Sequence, residues 1–285
     1  MKLFQFIKDN SIHVGVINND NQAIDINEYA DNNNLNIPNS LKEIIENWNS
    51  LSSIIEEIKC SNTCIINDEI DYAPVINNPE KFICVGLNYL DHINEHAKIL
   101  PEYPVLFCKF PTSLNAHNKT VYLDPEYIEY DYEAELVIVI GKQGKNISKD
   151  DAKNYVFGYT CGNDISNRYL QQNRSGQWLN GKAIDGFAPI GPVIETDCDG
   201  DNLSIKGYLN DELKQNANTN QMIFDISTLV SYISKTITLK PGDLIFTGTP
   251  SGVIVGTEEK IWMKPGDIYK VEIENIGTLK NTMIQ

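Results

Sequence analysis

The sequence predicts a strand-rich α+β fold with two domains of unequal size. Short runs of β-branched and aromatic residues dominate the chain after residue 79, for example at 193–196 and 244–247, and such runs are typical of strands. One earlier segment, at 41–58, keeps the apolar spacing of an amphipathic helix. The two regions are separated at 77–80 by asparagines and a proline, as expected of a linker.

The smaller domain is predicted to comprise residues 1–76. Short strands are expected near its start, followed by one helix over 41–58. Ser40 and Glu43 have the spacing of a capping box at the start of that helix. These residues contain no convergent cluster of polar side chains, so we expect the second domain, residues 79–285, to carry the chemistry.

Five aliphatic residues at 136–140 predict a strand that is buried on both faces. Because side chains alternate along a strand, Glu133 and Glu135 share one face at its start. Two unpaired carboxylates in such a place carry a large desolvation penalty. A hard divalent cation such as Mg²⁺ or Mn²⁺ would offset that penalty. The alternative is an edge strand that begins in solvent, with Asp131, Glu133 and Glu135 as a hydrated stripe.

Two further polar groups follow predicted strands. Asp164 ends the strand-like run at 156–163, where it suits either a metal ligand or a helix N-cap. His92 and Glu95 follow the short apolar run at 82–86. Their spacing of three places both side chains on one face of a helical turn, so they can act as a pair.

An ordered set of segments resembles the fumarylacetoacetate hydrolase (FAH) family. The resemblance covers the chain from about residue 79 to its end. It implies that the second domain is a mixed β-roll or β-sandwich of the FAH C-terminal type, and that Glu133, Glu135 and Asp164 bind Mg²⁺ or Mn²⁺. The segments that carry the resemblance are 86–95, 133–135, 158–171, 177–182 and 248–252.

The resemblance also implies roles for residues around the metal. His92 and Glu95 resemble the family's water-activating pair. Lys182 resembles a lysine that faces the substrate, although a plain surface lysine is the alternative interpretation. The substrate contacts that the resemblance implies are Arg168, Gln171, Thr249 and Lys109.

The predicted reaction is hydrolysis of a C–C bond in a 2,4-diketo acid, either an acylpyruvate or a sugar-derived acid, through a metal-chelated enolate. Hydrolysis is favoured because His92 and Glu95 are both present to activate water. Decarboxylation of an oxaloacetate-type acid and isomerisation of a 2-oxo diacid are alternatives at the same site. A binding protein without activity is a third class. Many family members have a glycine-rich turn at the position of residues 115–118, where this chain has His117. We expect this difference to change the shape of the loop and therefore the fit of the substrate.

A zinc peptidase is a remote alternative, because His92, Glu95 and His96 fit the H-x-x-E-H pattern. In such enzymes two histidines bind zinc and the glutamate is the base. The pattern is short, and here it follows a buried strand closely and precedes Pro101 instead of lying on a long helix. The FAH-like arrangement therefore fits the sequence better.

The remaining properties are typical of a cytosolic enzyme with a small-molecule substrate. The net charge of -16 disfavours binding to nucleic acid or to anionic membranes. The cysteines lack zinc-site spacing, and Cys84, Cys108 and Cys161 are expected to be buried thiols. Neither a signal peptide nor a membrane span is predicted. The family resemblance further implies a homodimer that acts on a 2-oxo acid.

Overall fold

The computed structural model of the protein describes residues 1–96, 100–174 and 176–285, apart from the side chains of Asn94 and His96. The predicted role of His96 as a zinc ligand therefore lies outside the described residues.

Strands make up most of the regular structure. Their bounds are β1 (Lys2–Lys8), β2 (Ser11–Ile17), β3 (Ala23–Asp25), β4 (Tyr72–Ala73), β5 (Phe82–Gly86), β6 (Val105–Cys108), β7 (Leu114–Ala116), β8 (Thr120–Tyr122), β9 (Tyr130–Asp131), β10 (Ala134–Ile140), β11 (Val156–Asn163), β12 (Ser166–Asn167), β13 (Ala188–Glu195), β14 (Ser204–Leu209), β15 (Glu212–Asn218), β16 (Leu244–Phe246), β17 (Ile268–Ile273) and β18 (Gly277–Ile284).

The helices are short and lie mostly in the first third of the chain and around the candidate site. They are α1 (Ile26–Asn32), α2 (Leu41–Glu46), α3 (Trp48–Lys59), α4 (Leu90–His96), α5 (Arg168–Asn173), α6 (Leu179–Lys182) and α7 (Ile226–Thr236). Single 3₁₀ turns occur at Pro111–Ser113, Ala152–Tyr155, Thr219–Gln221 and Ile254–Gly256.

Two large sheets form the body of the protein. The larger has the strand order β3-β2-β1-β13-β11-β10-β16-β5-β6, with β4 paired to β1 and β7 paired to β13. The smaller has the order β15-β14-β17-β18-β8. Most pairs are antiparallel, whereas β16 with β5, β13 with β7 and β18 with β8 are parallel. This mixed, strand-rich arrangement confirms the predicted fold class.

Strand β10 lies in the interior of the larger sheet, between β11 and β16. Leu136 and Ile138 pack into a core that includes residues of the smaller sheet, such as Leu279. Val137 and Val139 belong to a second core, which α2 and α3 cover from the other side. The prediction that this strand is buried on both faces is confirmed. Its rigid surroundings fix the position of the acidic residues at its start.

The N-terminal segment is continuous with the larger sheet. β1 pairs with β13 through Lys2 and Leu3, and Phe4 packs in the same core as Leu136. The division into residues 1–76 and 79–285 stays a prediction, and the structure adds that the two segments share a sheet and its cores.

The predicted single helix over 41–58 is wrong in one respect, because α2 and α3 are separate. Asn47 has φ -108° and ψ 19°, which ends α2. Its side-chain amide donates to the carbonyl of Glu43 at 2.8 Å, so the side chain competes with helix continuation. The capping box is also wrong, since Ser40 makes no side-chain capping bond.

The six cysteines are free thiols. Cys84 and Cys161 are buried as predicted, but Cys108 is exposed because it ends the edge strand β6. In the described ranges, no helix has the length and apolar character needed to cross a membrane.

His117 is half-buried and packs against β4 and β18, away from the acidic residues. Its Nδ1 accepts a hydrogen bond from the backbone N–H of Lys280 at 3.1 Å, and its ring meets Tyr72 edge-on at 5.0 Å. Burial, with a smaller contribution from Lys280, lowers the pKa of His117 to about 4. The change of loop at 115–118 therefore serves the packing of β18 against the N-terminal segment.

This half-buried imidazole predicts acid sensitivity of the fold. Below pH about 6.5 the imidazole of His117 is protonated in the unfolded chain but stays neutral in the folded protein. The free energy of unfolding therefore decreases as the pH falls toward 4. Because the ring is partly exposed and solvent screens its charge, the loss is smaller than about 3 kcal/mol. Urea unfolding between pH 4 and pH 7 should show a shallower acid decline in His117→Gln than in the wild type. Parallel declines would contradict this account.

Candidate active site

Three carboxylates meet where β10 begins and β11 ends. Glu133 and Glu135 flank the start of β10, and Asp164 directly follows β11, its backbone N–H donating to the carbonyl of Glu133 at 3.0 Å. One oxygen atom from each carboxylate can be chosen so that all three lie within 4.8 Å of one another. The side chains are buried. This excludes the alternative of a solvent-exposed edge strand with a stripe of hydrated carboxylates. The N-cap of α5 is Asn167, so Asp164 is not a helix cap.

Two buried cations neutralise Glu133. Lys182 Nζ lies 2.6 Å from Glu133 Oε2 and 2.8 Å from Asp164 Oδ2, and Arg168 donates to Glu133 Oε1 at 2.7 Å. Burial opposes ionisation of Glu133, but Lys182 and Arg168 outweigh it and hold its pKa well below the usual range. Lys182 is only 2% exposed, which excludes the surface-lysine interpretation.

Glu135 is in a different electrostatic position. It accepts a hydrogen bond from the backbone N–H of Gly248 at 2.7 Å. Burial, together with the charges of Asp164 and Glu133, raises its pKa well above the usual range. The protein thus holds a third carboxylate where its neighbours repel it, and a bound cation would relieve that repulsion.

The donor set fits a hard divalent cation. Three carboxylates supply oxygen ligands, which Mg²⁺ and Mn²⁺ prefer. Asp131 lies beside them and brings the buried carboxylates of this region to four, against the three cations Lys109, Arg168 and Lys182. One negative charge remains in the described part of the site. A divalent ion would convert it to one positive charge, which suits an anionic substrate.

The sequence did not lead us to predict that Asp131 supports the active site. Its carboxylate accepts from Arg168 Nε at 2.8 Å and from the backbone N–H groups of Ile254 and Val255. It therefore fixes the guanidinium that in turn holds Glu133. The signal that could have revealed it is its spacing of two from Glu133, which places both on one face of an extended segment.

Lys109 lies behind the triad and does not line the cavity. Its Nζ contacts Asp164 Oδ1 at 2.7 Å and donates to the backbone carbonyls of Ile165, Lys182 and Phe187. Burial lowers its pKa, against the opposing pull of Asp164. The ammonium is enclosed by protein oxygens and holds Asp164 in place, and the substrate contact of Lys109 stays a prediction.

We expect Lys109→Met to destabilise the fold by about 3 to 5 kcal/mol, because it leaves Asp164 as a buried charge with one partner fewer. Urea unfolding measures the difference. Lys206→Met is the matched control, since the exposed pair of Lys206 with Glu272 is worth about 1 kcal/mol or less. Equal losses in the two variants would contradict the role assigned to Lys109.

A cavity of about 170 Å³ opens beside the triad. Lys182 contributes to its wall, and Arg168 donates to the side-chain carbonyl of Gln171 at 2.9 Å. The Thr249 hydroxyl donates to the carbonyl of Ala134 at 2.9 Å. The structure therefore brings most of the predicted site residues to one cavity, and those in its wall are His92, Glu133, Glu135, Arg168, Gln171, Lys182 and Thr249.

His92 and Glu95 lie on one face of α4, as their spacing predicts. The distance from His92 Nδ1 to Glu95 Oε2 is 3.8 Å, longer than a hydrogen bond. His92 is buried and lines the cavity, whereas Glu95 is outside the lining and lies 3.2 Å from the backbone nitrogen of Gly252, which donates to its carboxylate. The two residues thus occupy different environments.

The zinc peptidase hypothesis gains no support from this geometry. The group of potential metal ligands found in the described residues is Glu133, Glu135 and Asp164, and neither His92 nor Glu95 belongs to it.

The fold and this buried acidic centre place the protein in a known class of enzymes. The sequence model of the fumarylacetoacetate (FAA) hydrolase C-terminal family matches residues 81–284. The chain belongs to the fumarylacetoacetate hydrolase family, which confirms the resemblance seen in its motifs.

Individual relatives cover nearly the whole chain. A fumarylacetoacetate hydrolase domain-containing protein 2 homolog of Dictyostelium discoideum is 44% identical over 266 residues, which cover 87% of this chain and 86% of the relative. The mitochondrial oxaloacetate tautomerase fahd2 of Xenopus laevis is 38% identical and covers 100% and 90%. The structure of a fumarylacetoacetate hydrolase from Exiguobacterium antarcticum has a TM-score of 0.86 at 32% identity, covering 100% and 99%.

Proposed function

We propose that the protein is a divalent-metal-dependent enzyme that interconverts the enol and keto forms of a short 2-oxo diacid of the oxaloacetate type. The observation that carries the proposal is the separation of His92 from Glu95. Keto–enol conversion needs a group that moves a proton to or from carbon, and His92 lies in the cavity wall to do so. Hydrolysis needs an activated water, and Glu95 lies outside that wall.

Glu133, Glu135 and Asp164 would hold the metal. A bound Mg²⁺ or Mn²⁺ supplies Lewis-acid stabilisation of the negative charge that develops on the 2-oxo group. Side chains of the protein transfer the proton and bind the carboxylates of the substrate. In the enol-to-keto direction His92 takes the proton of the enol hydroxyl and delivers it to the carbon next to the 2-oxo group, and in the reverse direction it takes a proton from that carbon and delivers it to the oxygen. Arg168 and Lys182 provide positive charge in the wall for the carboxylates of the substrate.

Two further arguments support a diacid substrate. A relative that aligns with the full chain bears the name of an oxaloacetate tautomerase. The cavity of about 170 Å³ is small and bears two cations, so a short molecule with two carboxylates fits it better than a long neutral one.

Hydrolysis of a 2,4-diketo acid remains the second candidate. It is favoured by the 3.8 Å separation of His92 Nδ1 and Glu95 Oε2, which a small rotation of either side chain on α4 would shorten to a hydrogen bond. The relative from Exiguobacterium antarcticum bears the name of a hydrolase. In this alternative Glu95 takes the proton of the attacking water, and His92 orients it.

A substrate panel with the wild type and Glu95→Gln distinguishes the candidates. Oxaloacetate is followed for enol-to-keto conversion and for CO₂ release, and acetylpyruvate for cleavage, each with Mg²⁺ and with a chelator. We expect metal-dependent enol-to-keto conversion that Glu95→Gln leaves nearly unchanged. Cleavage of acetylpyruvate that disappears in Glu95→Gln, without conversion of oxaloacetate, would show a hydrolase instead. Release of CO₂ alone would show a decarboxylase.

We also infer a homodimer in the cytosol. Exposed apolar side chains support a subunit contact, because Ile128 and Ile261 are 66% and 65% exposed and Ile128 lines the same surface groove as Trp262. Apolar side chains that are grouped into one exposed patch mark a protein–protein contact more often than scattered ones do. A monomeric mass in sedimentation equilibrium would contradict the dimer.

A further inference from the structure

An aromatic wall separates the active-site cavity from a second cavity. Phe107 on β6 and Trp178 just before α6 line both spaces. The second cavity has a volume of about 380 Å³ and lies along β6 and the segment 176–179. Of the described residues that line it, none is charged, so the space beyond the wall suits an apolar chain.

The wall is held in place by close packing. The rings of Phe107 and Trp178 meet edge-on, with centroids 5.3 Å apart and an interplanar angle of 71°. A Cβ added at Gly86, the last residue of β5, would lie 2.5 Å from Cζ3 of Trp178. Only glycine at position 86 leaves room for the indole of Trp178. The backbone of β5 and the indole therefore pack directly against each other, which fixes the position of the ring.

The wall also lies next to the charged centre. Lys182 Nζ is 5.3 Å from the ring centroid of Phe107 and 2.6 Å from Glu133 Oε2. The backbone carbonyl of Trp178 accepts hydrogen bonds from the N–H groups of Gly181 and Lys182. The same residue therefore starts the helical turn that carries Lys182 and closes the cavity beside it.

We propose that Trp178 determines the length of the 2-oxo acid that the active site accepts, by closing off the second cavity. This inference rests on the proposed function. With the indole in place, the metal-binding end and the wall leave room for a short acid. Removal of the indole joins the two cavities, and the side chain of a longer acid can then bury its methylene groups along β6.

The test measures binding, so it does not depend on turnover. Straight-chain 2-oxo acids from pyruvate to 2-oxohexanoate are titrated calorimetrically into the Mg²⁺-loaded wild type and into Trp178→Ala. We expect wild-type affinity to fall as the chain lengthens. In Trp178→Ala we expect affinity to rise by up to about fourfold for each added methylene group.

Leu179→Ala is the matched control. Leu179 lines the second cavity but not the active-site cavity, so this variant enlarges the space without opening the wall and should keep the wild-type profile. Trp178→Leu carries the test if the alanine variant does not fold, and it should show a smaller change in the same direction.

The possible failures are distinguishable. A Trp178 variant that binds pyruvate and keeps the wild-type dependence on chain length would overturn the role of Trp178. A change of profile in Leu179→Ala equal to that in Trp178→Ala would also overturn it. A wild type that binds neither oxaloacetate nor any of these acids would instead contradict the proposed function.

Discussion

Glu135→Gln is expected to abolish metal binding and activity while the protein stays folded. The glutamine keeps a side-chain oxygen for the N–H of Gly248 but carries no charge. Loss of an outer partner of a metal ligand already weakens binding about 10-fold to 100-fold, so loss of a charged ligand should weaken it by more than about 100-fold. Calorimetric titration with Mg²⁺ and Mn²⁺ measures the change.

Glu135 is the informative member of the triad because the other two are structural as well. Glu133 and Asp164 hold buried cations, and their removal would leave those cations unpaired. By contrast, Glu135→Gln removes a repelled charge, so the metal-free variant should unfold at or above the wild-type temperature. Glu195→Gln, a buried acid that pairs with the N-terminus, should keep wild-type metal affinity. Wild-type affinity in Glu135→Gln would refute the ligand assignment.

His92→Gln is expected to lower kcat by about 100-fold to 10,000-fold, the usual effect of removing a general acid or base. Metal affinity should change little, because His92 is not part of the carboxylate triad. Steady-state kinetics with oxaloacetate and calorimetry with Mg²⁺ separate the two effects.

His13→Gln is the control for this variant. His13 lies in the N-terminal segment, where its ring contacts Asp25 at 3.1 Å, so its removal should leave kcat unchanged. If His92→Gln lost metal binding and activity together, the imidazole would act on the metal and not on the substrate proton.

The acidic centre could be predicted because its chemistry is local. The apolar run at 136–140 contains no polar residue, which predicts a strand buried on both faces. Because side chains alternate along a strand, the two glutamates at its start were predicted to lie on one face. A strand-rich fold followed from the many short β-branched runs, and the mixed arrangement of its strands followed from the family resemblance. The family resemblance predicted that Arg168 and Lys182 lie near the substrate. Their pairing with Glu133 was not predicted, since they lie 35 and 49 residues away from it along the chain.

Other features depend on tertiary contacts that no local pattern reports. The role of Lys109 is set by backbone carbonyls from distant loops. Cys108 has an apolar sequence context, but its strand lies at the sheet edge. The break at Asn47 interrupts a regular apolar spacing, because a single side-chain hydrogen bond outweighs weak helix propensity there.

Anomalous diffraction from crystals grown with Mn²⁺ and oxalate tests the central claim most directly, because it locates the ion without reference to activity. The account predicts one strong manganese peak between the carboxylates of Glu133, Glu135 and Asp164, with oxalate in the cavity that His92 lines. A manganese peak bound elsewhere, or none at the triad in crystals that contain oxalate, would contradict it.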